Sequence, residues 1–140
     1  LSAAIAANPW LIKPNGDELT ETYHLPASTY LEQQQLFQSI GHMQIQHIIV
    51  SMGEGGVNWL HPTHPLHAQA PKVQVKSTVG AGDSLVAGMI HGLLTYYSPE
   101  EILKTATAIA SHAVTQIGFQ VPDLSVIEDL KQKIAINSLS

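Results

Sequence analysis

The stretch Ser77-Thr78-Val79-Gly80-Ala81-Gly82-Asp83-Ser84 decides the fold assignment. An alternating run over residues 72–76 precedes it and predicts a strand, and an apolar run over residues 85–97 follows it and predicts a helix. A strand, a glycine turn and a helix N-terminus together form an anion site, because backbone N–H groups point outward where the helix dipole is positive. Asp83 adds a carboxylate to that site. Phosphoryl transfer needs both features, namely donors for the phosphate and a base for the attacking hydroxyl.

Two better-known phosphate-binding turns do not fit this stretch. A Walker A loop needs Lys followed by Ser or Thr after its second glycine, and Asp83 and Ser84 stand there instead. A dinucleotide-binding turn needs a third glycine at the position of Leu85. The structural alternative is an ordinary strand-to-helix connection in which Asp83 and Ser84 only cap the helix.

The composition limits the classes of partner. The chain has 140 residues, enough for one domain or for part of a larger one. Its net charge of −5 argues against binding to nucleic acid or to an anionic membrane. The absence of cysteine excludes disulfides and thiolate metal sites and fits a reducing cytoplasm. No apolar run reaches the roughly 18–20 residues of a membrane span. We therefore expect a cytoplasmic protein with no nucleic-acid or membrane partner.

The order of predicted elements indicates an α/β layered fold with a mostly parallel sheet flanked by helices. Predicted strands cover residues 10–13, 46–52, 57–60 and 72–76, and predicted helices cover residues 2–7, 15–23, 29–40, 85–97 and 99–116, with a last helix opening at residues 122–123. Residues 61–71 are expected to form a surface flap or an edge ribbon, and residues 137–140 a frayed tail.

The predicted helix at residues 85–97 contains two glycines, Gly88 and Gly92, four residues apart. Each costs up to about 1 kcal/mol relative to Ala inside a helix, so we expect them to permit close approach to the sheet or to another helix. Helical spacing predicts that the core face of this helix carries Val86, Met89, Ile90, Leu93, Leu94 and Tyr97.

A triple-glycine turn, comprising Ser51, Met52, Gly53, Glu54, Gly55 and Gly56, follows the most apolar predicted strand. Ligands of open α/β sheets bind at the carboxyl ends of strands. Glycines allow a backbone to approach a flat base or a phosphate closely. The alternative is a simple hairpin into the strand at residues 57–60.

The pair Asn15 and Glu18 fits a capping box, with Asn15 as the N-cap and Glu18 at the third helical position. The functional alternative is a polar pair directed at phosphate-bound Mg²⁺ through water, since Mg²⁺ keeps several of its waters. Lys13, at the end of the preceding strand, is either a phosphate contact or a solvated edge residue.

Three histidines, His61, His64 and His67, recur at every third position and raise a metal hypothesis. Pro62 and Pro65 would break any helix that aligned them, so the pattern is only a compositional hint and a structural metal is the minor alternative.

These motifs together resemble those of the ribokinase-like (PfkB) sugar kinases. The segment Thr78-Val79-Gly80-Ala81-Gly82-Asp83 resembles the family's C-terminal signature. The segment Lys13-Pro14-Asn15-x-x-Glu18-Leu19 resembles its Asn-x-x-Glu region, and Ser51-x-Gly53-x-x-Gly56 resembles its nucleotide-binding turn. They occur in the family's order and with its approximate separations. The resemblance covers residues 1–140 and implies a ribokinase-like layered fold, as the C-terminal, nucleotide-binding half of such a kinase.

The resemblance also implies roles for individual residues. Asp83 would be the base for the sugar hydroxyl, beside an anion hole formed by Gly80, Ala81 and Gly82. Asn15 and Glu18 would organise Mg²⁺, and residues 110–114 would lie near the adenine. ATP would contact the triple-glycine turn together with Lys13 and Asn15. The implied acceptor is the C6 hydroxyl of fructose 1-phosphate, with tagatose 6-phosphate or another sugar as the alternative.

The chain departs from the family at two points. Many members have Asp at the position of Ser77, where it helps to hold a monovalent cation, so a K⁺ site is doubtful here. The family's sugar-binding half precedes the position of Leu1, so we expect the isolated chain to have little activity and the complete protein to be a homodimer. The competing hypotheses are a non-catalytic nucleotide-binding or oligomerisation module and, less favoured because of Leu85, a dinucleotide oxidoreductase.

Overall fold

The computed structural model describes residues 10–24, 27–39, 47–61, 64–78, 80–95, 97–116 and 122–139. The predicted helix at residues 2–7 lies outside these residues. The chain divides into two compact units. The first contains Leu1–Met52, Val57–His67 and Ser138–Ser140, and the second contains Gly53–Gly56 and Ala68–Asn137.

Five strands form one sheet in the order β1-β2-β3-β4-β5. The strands are β1 (Leu11–Ile12), β2 (His47–Ser51), β3 (Val57–Leu60), β4 (Leu66–Ala68) and β5 (Ile136–Ser138). The helices are α1 (Gly16–Tyr23), α2 (Tyr30–Ser39), α3 (Ala81–Leu94), α4 (Pro99–Val114) and α5 (Leu124–Gln132).

The sheet is mixed, which corrects the prediction of a mostly parallel sheet. Strand β1 pairs parallel with β2, with Ile12 opposite Ile48. Strand β2 pairs antiparallel with β3, with Ile49 opposite Trp59. The connection between β2 and β3 is too short for the crossover of a dozen or more residues that a parallel pairing requires, so the chain can only return antiparallel. The predicted α/β class is confirmed.

The core of the first unit is built on strand β2. Its β-branched residues Ile48, Ile49 and Val50 have no exposed surface, as expected for a strand covered on both faces. Helices α1 and α2 each add a buried leucine, Leu19 and Leu36. The resulting core cluster consists of Ile12, Leu19, Ala27, Leu36, Ile48, Val50 and Leu60.

In the second unit, helices α3 and α4 approach each other through the two glycines of α3. A Cβ atom added to Gly88 would lie 2.8 Å from Ala106 Cα, and one added to Gly92 would lie 2.9 Å from two side-chain carbons of Ile102. The predicted role of these glycines in close approach is confirmed, and the partner is helix α4.

The predicted core face of α3 is confirmed at Met89, which is buried, and wrong at three of its six positions. Val86 and Leu93 are half-buried. Ile90, Leu94 and Tyr97 are 36%, 67% and 46% exposed. The helix is apolar on more than one side, and the glycines select the side that can approach α4 most closely. The buried residues of α3 are Leu85, Gly88, Met89 and Gly92.

Helix α4 begins as its sequence predicts. Ser98 is the N-cap, and its Oγ accepts the N–H of Glu101 at 3.3 Å. Lys131 of α5 forms an ion pair with Glu101, which joins the start of α4 to α5. Helix α5 buries Ile127 and Leu130.

Residues 72–76 form no strand, contrary to the prediction. The N–H groups of Lys76 and Ser77 donate instead to the carbonyl of Val114, at 2.7 and 3.2 Å. Val75 is 58% exposed. The alternating sequence therefore lies against the C-terminal end of α4 and not within the sheet.

Two segments that were predicted to be peripheral contain strands of the sheet. Residues 64–71 contain strand β4, which lies between β3 and β5 and has Leu66 and Ala68 buried, so they form neither a surface flap nor an edge ribbon. Residues 137–139 are not frayed, because strand β5 runs through Ser138 and the N–H of Leu139 donates to the carbonyl of Pro65 at 3.0 Å. Both segments gain their order from pairing with distant chain, which local composition does not reveal.

The glycine contacts predict an order of stability among variants. Gly88→Ala should lower the free energy of unfolding by about 1–3 kcal/mol, because the new methyl group meets backbone that cannot rotate away. Gly92→Ala, the matched control with the same gain in helix propensity, should cost less, because it meets side-chain atoms of Ile102. Urea unfolding monitored by circular dichroism measures both. Equal or reversed effects would contradict this packing.

Candidate functional site

The carboxyl ends of β1 and β2 lie side by side. The N–H of Ser51 donates to the carbonyl of Pro14 at 3.1 Å. Asn15 then forms an isolated parallel bridge with Ser51. The Asn-x-x-Glu segment therefore begins beside Ser51, the first residue of the triple-glycine turn. Two of the three predicted motifs meet at the edge of the sheet where α/β proteins bind ligands.

The predicted capping box at the start of α1 is present in both directions. The N–H of Glu18 donates to Asn15 Oδ1 at 2.8 Å, and the N–H of Asn15 donates to Glu18 Oε1 at 3.2 Å. The box uses one carboxylate oxygen of Glu18, so the second oxygen can accept from a water molecule. Lys13, half-buried, lies between β1 and this box. Capping and a polar role toward a ligand are therefore compatible.

The triple-glycine turn forms a short 3-10 helix, Gly53–Gly55. The N–H of Gly56 donates to the carbonyl of Gly53 at 3.1 Å. Both residues have positive φ, 56° for Gly53 and 92° for Gly56, which side chains rarely allow. Gly53, Glu54 and Gly55 are exposed. The hairpin alternative is thus confirmed as a structure, and its exposed backbone remains accessible to a ligand.

The glycine–aspartate turn, comprising Gly80, Ala81, Gly82 and Asp83, belongs to the second unit. Helix α3 begins at Ala81, four residues before the predicted start at Leu85. Gly80 is the N-cap with φ 83°, and no side chain caps the helix. The left-handed conformation of Gly80 turns the chain directly into the helix. The alternative in which Asp83 and Ser84 act as caps is therefore wrong.

This early start places Ala81, Gly82 and Asp83 in the first turn of α3. The first N–H groups of a helix have no acceptor within it, so they point out of the N-terminus. Gly80, the N-cap, makes no side-chain hydrogen bond to them, and the N–H of Ala81 donates to the carbonyl of Thr78. The Asp83 carboxylate is exposed in the same turn, where the helix dipole favours its negative charge.

The segment leading to this turn is held by the end of helix α4. The carbonyl of Val114 accepts the N–H groups of Lys76 and Ser77, and the N–H of Ala81 donates to the carbonyl of Thr78 at 3.4 Å. Residues 110–114, which the family resemblance places near an adenine, are therefore linked to the approach to the glycine–aspartate turn within one unit.

Three histidines of the first unit, His47, His61 and His64, form a cluster with Trp59. The rings of His61 and His64 stack with centroids 3.7 Å apart and planes 21° apart. Stacked rings direct their nitrogen lone pairs in parallel, so the pair does not converge on one ion. The residues that the structure describes contain no group of three or more histidine, cysteine or acidic side chains that could hold a metal.

His47 lies buried at the centre of this cluster. Its Nδ1 accepts the indole N–H of Trp59 at 3.2 Å, which requires an unprotonated nitrogen. Burial, with the charges of His61 and His64, lowers the pKa of His47 from 6.5 to about 4. The pKa of His61 is also lowered, first by burial and then by His64. The cluster is therefore stable in its neutral form.

Sequence reasoning missed one group of polar residues in the first unit, namely Gln33, Asn58 and His67. Gln33 and Asn58 contact Met52 of the triple-glycine turn, and His67 contacts Asn58. A signal was present, since Asn58 is the one polar residue in strand β3. A buried asparagine in an apolar strand needs partners, which indicates a side-chain network.

Comparisons with known proteins agree with these motifs. Residues 1–125 match the family described as pfkB family carbohydrate kinase. The chain is 43% identical over 139 residues to a 1-phosphofructokinase of Vibrio cholerae, covering 99% of this chain and 44% of that protein. It therefore spans less than half the length of this curated relative.

Solved structures show the same fold. Phosphofructokinase-2 from Escherichia coli, solved with substrates and products, aligns with a TM-score of 0.82 at 28% identity, over 94% of this chain and 43% of that one. A ribokinase from Arabidopsis thaliana, solved with ribose and ATP, aligns with a TM-score of 0.78 at 26% identity, over 87% and 40%. The predicted ribokinase-like fold is confirmed. Among the helices that the structure describes, none is long and apolar enough to cross a membrane.

The histidine cluster predicts a loss of stability in acid. The pKa of His47 is lower in the folded chain than its ordinary value, so the unfolded chain binds the proton more tightly. Stability should be complete above about pH 6.5 and fall as the pH drops toward about 4, by up to about 1.4 kcal/mol per pH unit for one histidine. Urea unfolding across this range measures the slope.

His47→Phe should reduce that slope, because it removes the titrating group while keeping an aromatic ring. His91→Gln, which removes an exposed histidine of α3, is the control and should leave the slope unchanged. A slope that survives in His47→Phe would show that other groups cause the acid sensitivity.

Proposed function

The chain belongs to the pfkB family of carbohydrate kinases, and from that premise we propose that it is the nucleotide-binding, catalytic-base part of a 1-phosphofructokinase. The proposed reaction transfers the γ-phosphoryl group of ATP to the C6 hydroxyl of fructose 1-phosphate. The name of the Vibrio cholerae relative supports this choice, and tagatose 6-phosphate is the acceptor to exclude. No residue of this chain is assigned to holding the sugar in place.

One observation carries the proposal, the meeting of Asn15 and Ser51 at the ends of β1 and β2. Short motifs can resemble those of a family by chance. Chance resemblance would not be expected to bring two motif residues that are far apart in the sequence into one parallel bridge. This bridge supports a role for the polar groups of Lys13, Asn15 and Ser51 in contacting phosphate oxygens. The ammonium group of Lys13, a compact positive charge, would attract the phosphate oxygens there.

The triple-glycine turn would line the nucleotide in this proposal. Its residues are Ser51, Met52, Gly53, Glu54, Gly55 and Gly56. The exposed backbone of Gly53 and Gly55 supports this role, because a base or a ribose can lie against a chain without side chains. The positive φ of Gly53, with nothing within 4 Å of an added Cβ, shows that backbone conformation and not space demands glycine there.

Asp83 would act as the general base. Its carboxylate would accept the proton of the sugar hydroxyl while that oxygen attacks the γ-phosphorus and the bond to the ADP oxygen breaks. The N–H groups of Gly80, Ala81 and Gly82 would stabilise the charge on the transferring phosphoryl group. The N-terminus of α3 supports this assignment, because its N-cap is a glycine, which has no side chain to accept the first-turn N–H groups.

Mg²⁺ fits the proposal through Asn15 and Glu18. The second carboxylate oxygen of Glu18 lies outside the capping box and could bind the ion through a water molecule. When bound, Mg²⁺ would offset negative charge on the phosphates. Because Ser77 replaces the family's acidic residue, we include no K⁺ site. A cytoplasmic location and a homodimeric complete protein are part of the proposal.

The base assignment predicts the effect of removing one charge. In a complete 1-phosphofructokinase that contains this chain, Asp83→Asn should lower kcat by about 10²–10⁴, because the amide cannot accept the proton. Asp129→Asn, an exposed carboxylate on α5, is the control and should leave kcat unchanged. A coupled assay of ADP release with fructose 1-phosphate measures both. Turnover preserved in Asp83→Asn would disprove the base assignment.

The same assay on the 140-residue chain alone should show little or no turnover, because an acceptor that is not held in line loses most of the rate advantage. Full turnover by the isolated chain would contradict the proposal that it is one part of the kinase. Equal turnover with tagatose 6-phosphate would contradict the assignment of fructose 1-phosphate as the specific acceptor.

The dual role of Glu18 predicts a separation of stability from Mg²⁺ dependence. Glu18→Gln keeps an oxygen for the N–H of Asn15, so the capping box and the stability should persist within about 0.5 kcal/mol. The Mg²⁺ concentration for half-maximal activity should rise several-fold, because the charge is lost. Glu18→Ala should lower the stability and also raise that Mg²⁺ concentration. An unchanged Mg²⁺ dependence in Glu18→Gln would restrict Glu18 to capping.

A further inference from the structure

A buried polar network contacts Met52, the second residue of the triple-glycine turn. Asn58 of β3 is 2% exposed and Gln33 of α2 is completely buried. The Nδ2 of Asn58 donates to Gln33 Oε1 at 2.9 Å, and the Nε2 of Gln33 donates to the carbonyl of Ala27 at 3.2 Å. Each amide orientation is thereby set by a partner on a different segment of the chain.

His67 of β4 completes the network. Its Nδ1 lies 2.7 Å from Asn58 Oδ1. The amide nitrogen of Asn58 already donates to Gln33, so its oxygen is the acceptor toward His67. The Nδ1 of His67 must therefore carry the proton in this contact. The network thus runs without a mismatch from helix α2 through β3 to β4.

Met52 is where this network meets the triple-glycine turn. Its sulfur lies 3.6 Å from the Nε2 of Gln33 and 3.8 Å from the Nδ2 of Asn58, so both amides donate to it weakly. Met52 directly follows strand β2 and leads into Gly53. A methionine side chain is flexible by itself, and two buried donors restrict the positions of its sulfur.

The network has no evident advantage for stability alone. Buried polar groups are stabilising only when all partners are present, and an apolar core of the same shape is often at least as stable. What a satisfied network adds is a defined geometry. Here the geometry that it defines is that of Met52, one of the residues proposed to line the nucleotide.

We propose that Gln33, Asn58 and His67 are positioning residues for nucleotide binding, which hold Met52 and so set the start of the triple-glycine turn. They touch no substrate in this arrangement and act only through Met52. The inference rests on the proposed nucleotide function of that turn. It goes further by naming the side chains that hold the turn in the conformation that binds the nucleotide.

The test compares Asn58→Leu with Trp59→Phe in the 140-residue chain. Asn58→Leu removes all contacts of Asn58 at similar volume. Trp59→Phe, the matched control, alters the next residue of β3, whose side chain points to the opposite face and loses its buried hydrogen bond to His47. Both variants should be less stable than the parent chain, so stability alone does not separate them.

Calorimetric titration with Mg·ATP provides the separation. We expect the Kd to rise about tenfold in Asn58→Leu and to stay within about twofold of the parent in Trp59→Phe, because misplacing a supporting group weakens the contacts it positions. The ¹³C-methyl resonance of Met52 should move in Asn58→Leu only. In the parent chain, ¹⁵N spectra should show the Nδ1-protonated tautomer of His67.

The outcomes distinguish two failures. If the parent chain does not bind Mg·ATP, the proposed nucleotide function fails and this inference fails with it. If the parent binds and Asn58→Leu binds equally well, only the positioning role is overturned. Equal losses of affinity in both variants would also overturn it, because the lower stability that both variants share would then explain the losses without the network. If Asn58→Leu does not fold, Gln33→Met replaces it with the same expectations.

Discussion

The hydrogen bond from the N–H of Ser51 to the carbonyl of Pro14 is the constraint on which the candidate site of the first unit depends. Pro14 is fully buried and follows strand β1, which ends at Ile12. Proline has no N–H to donate, so it suits a position where the ladder stops, while its carbonyl still accepts from β2. The next residue, Asn15, leaves the sheet and caps α1. One bond thus aligns two strand ends and starts the helix that carries Glu18.

The same groups serve folding and the proposed chemistry. Asn15 and Glu18 cap a helix and are also proposed to bind, through water, the Mg²⁺ ion on the phosphates. Gly80 turns the chain into α3 and, as the N-cap, offers no side chain to the first-turn N–H groups. Local structure and site geometry are therefore not separable at these positions. Variants must be chosen, like Glu18→Gln, to preserve one role while removing the other.

Features set by neighbouring residues could be predicted from the sequence. The caps at Asn15 and Ser98 depend on residues within one helical turn, and both are confirmed. The three motifs predicted the family, which the comparisons confirm. The roles assigned to the individual motif residues stay predictions.

Features set by distant partners could not be predicted. The alternation at residues 72–76 resembles a strand, but its backbone binds the end of α4. Strand β5 has little strand character of its own and exists through pairing. The buried face of α3 follows from two glycines and their fit to α4, which a hydrophobic count does not capture. The partners of Asn58 come from α2 and β4, and no spacing rule links them.

The central claim is that the triple-glycine turn and the glycine–aspartate turn both bind the nucleotide. An amide NMR titration of the ¹⁵N-labelled chain with Mg·ATP tests it most directly. The account predicts saturable shifts at residues 51–56 and 80–83 with one common Kd, and none in the histidine cluster. Shifts confined to one turn, two different binding constants, or no saturable shifts at either turn would contradict it.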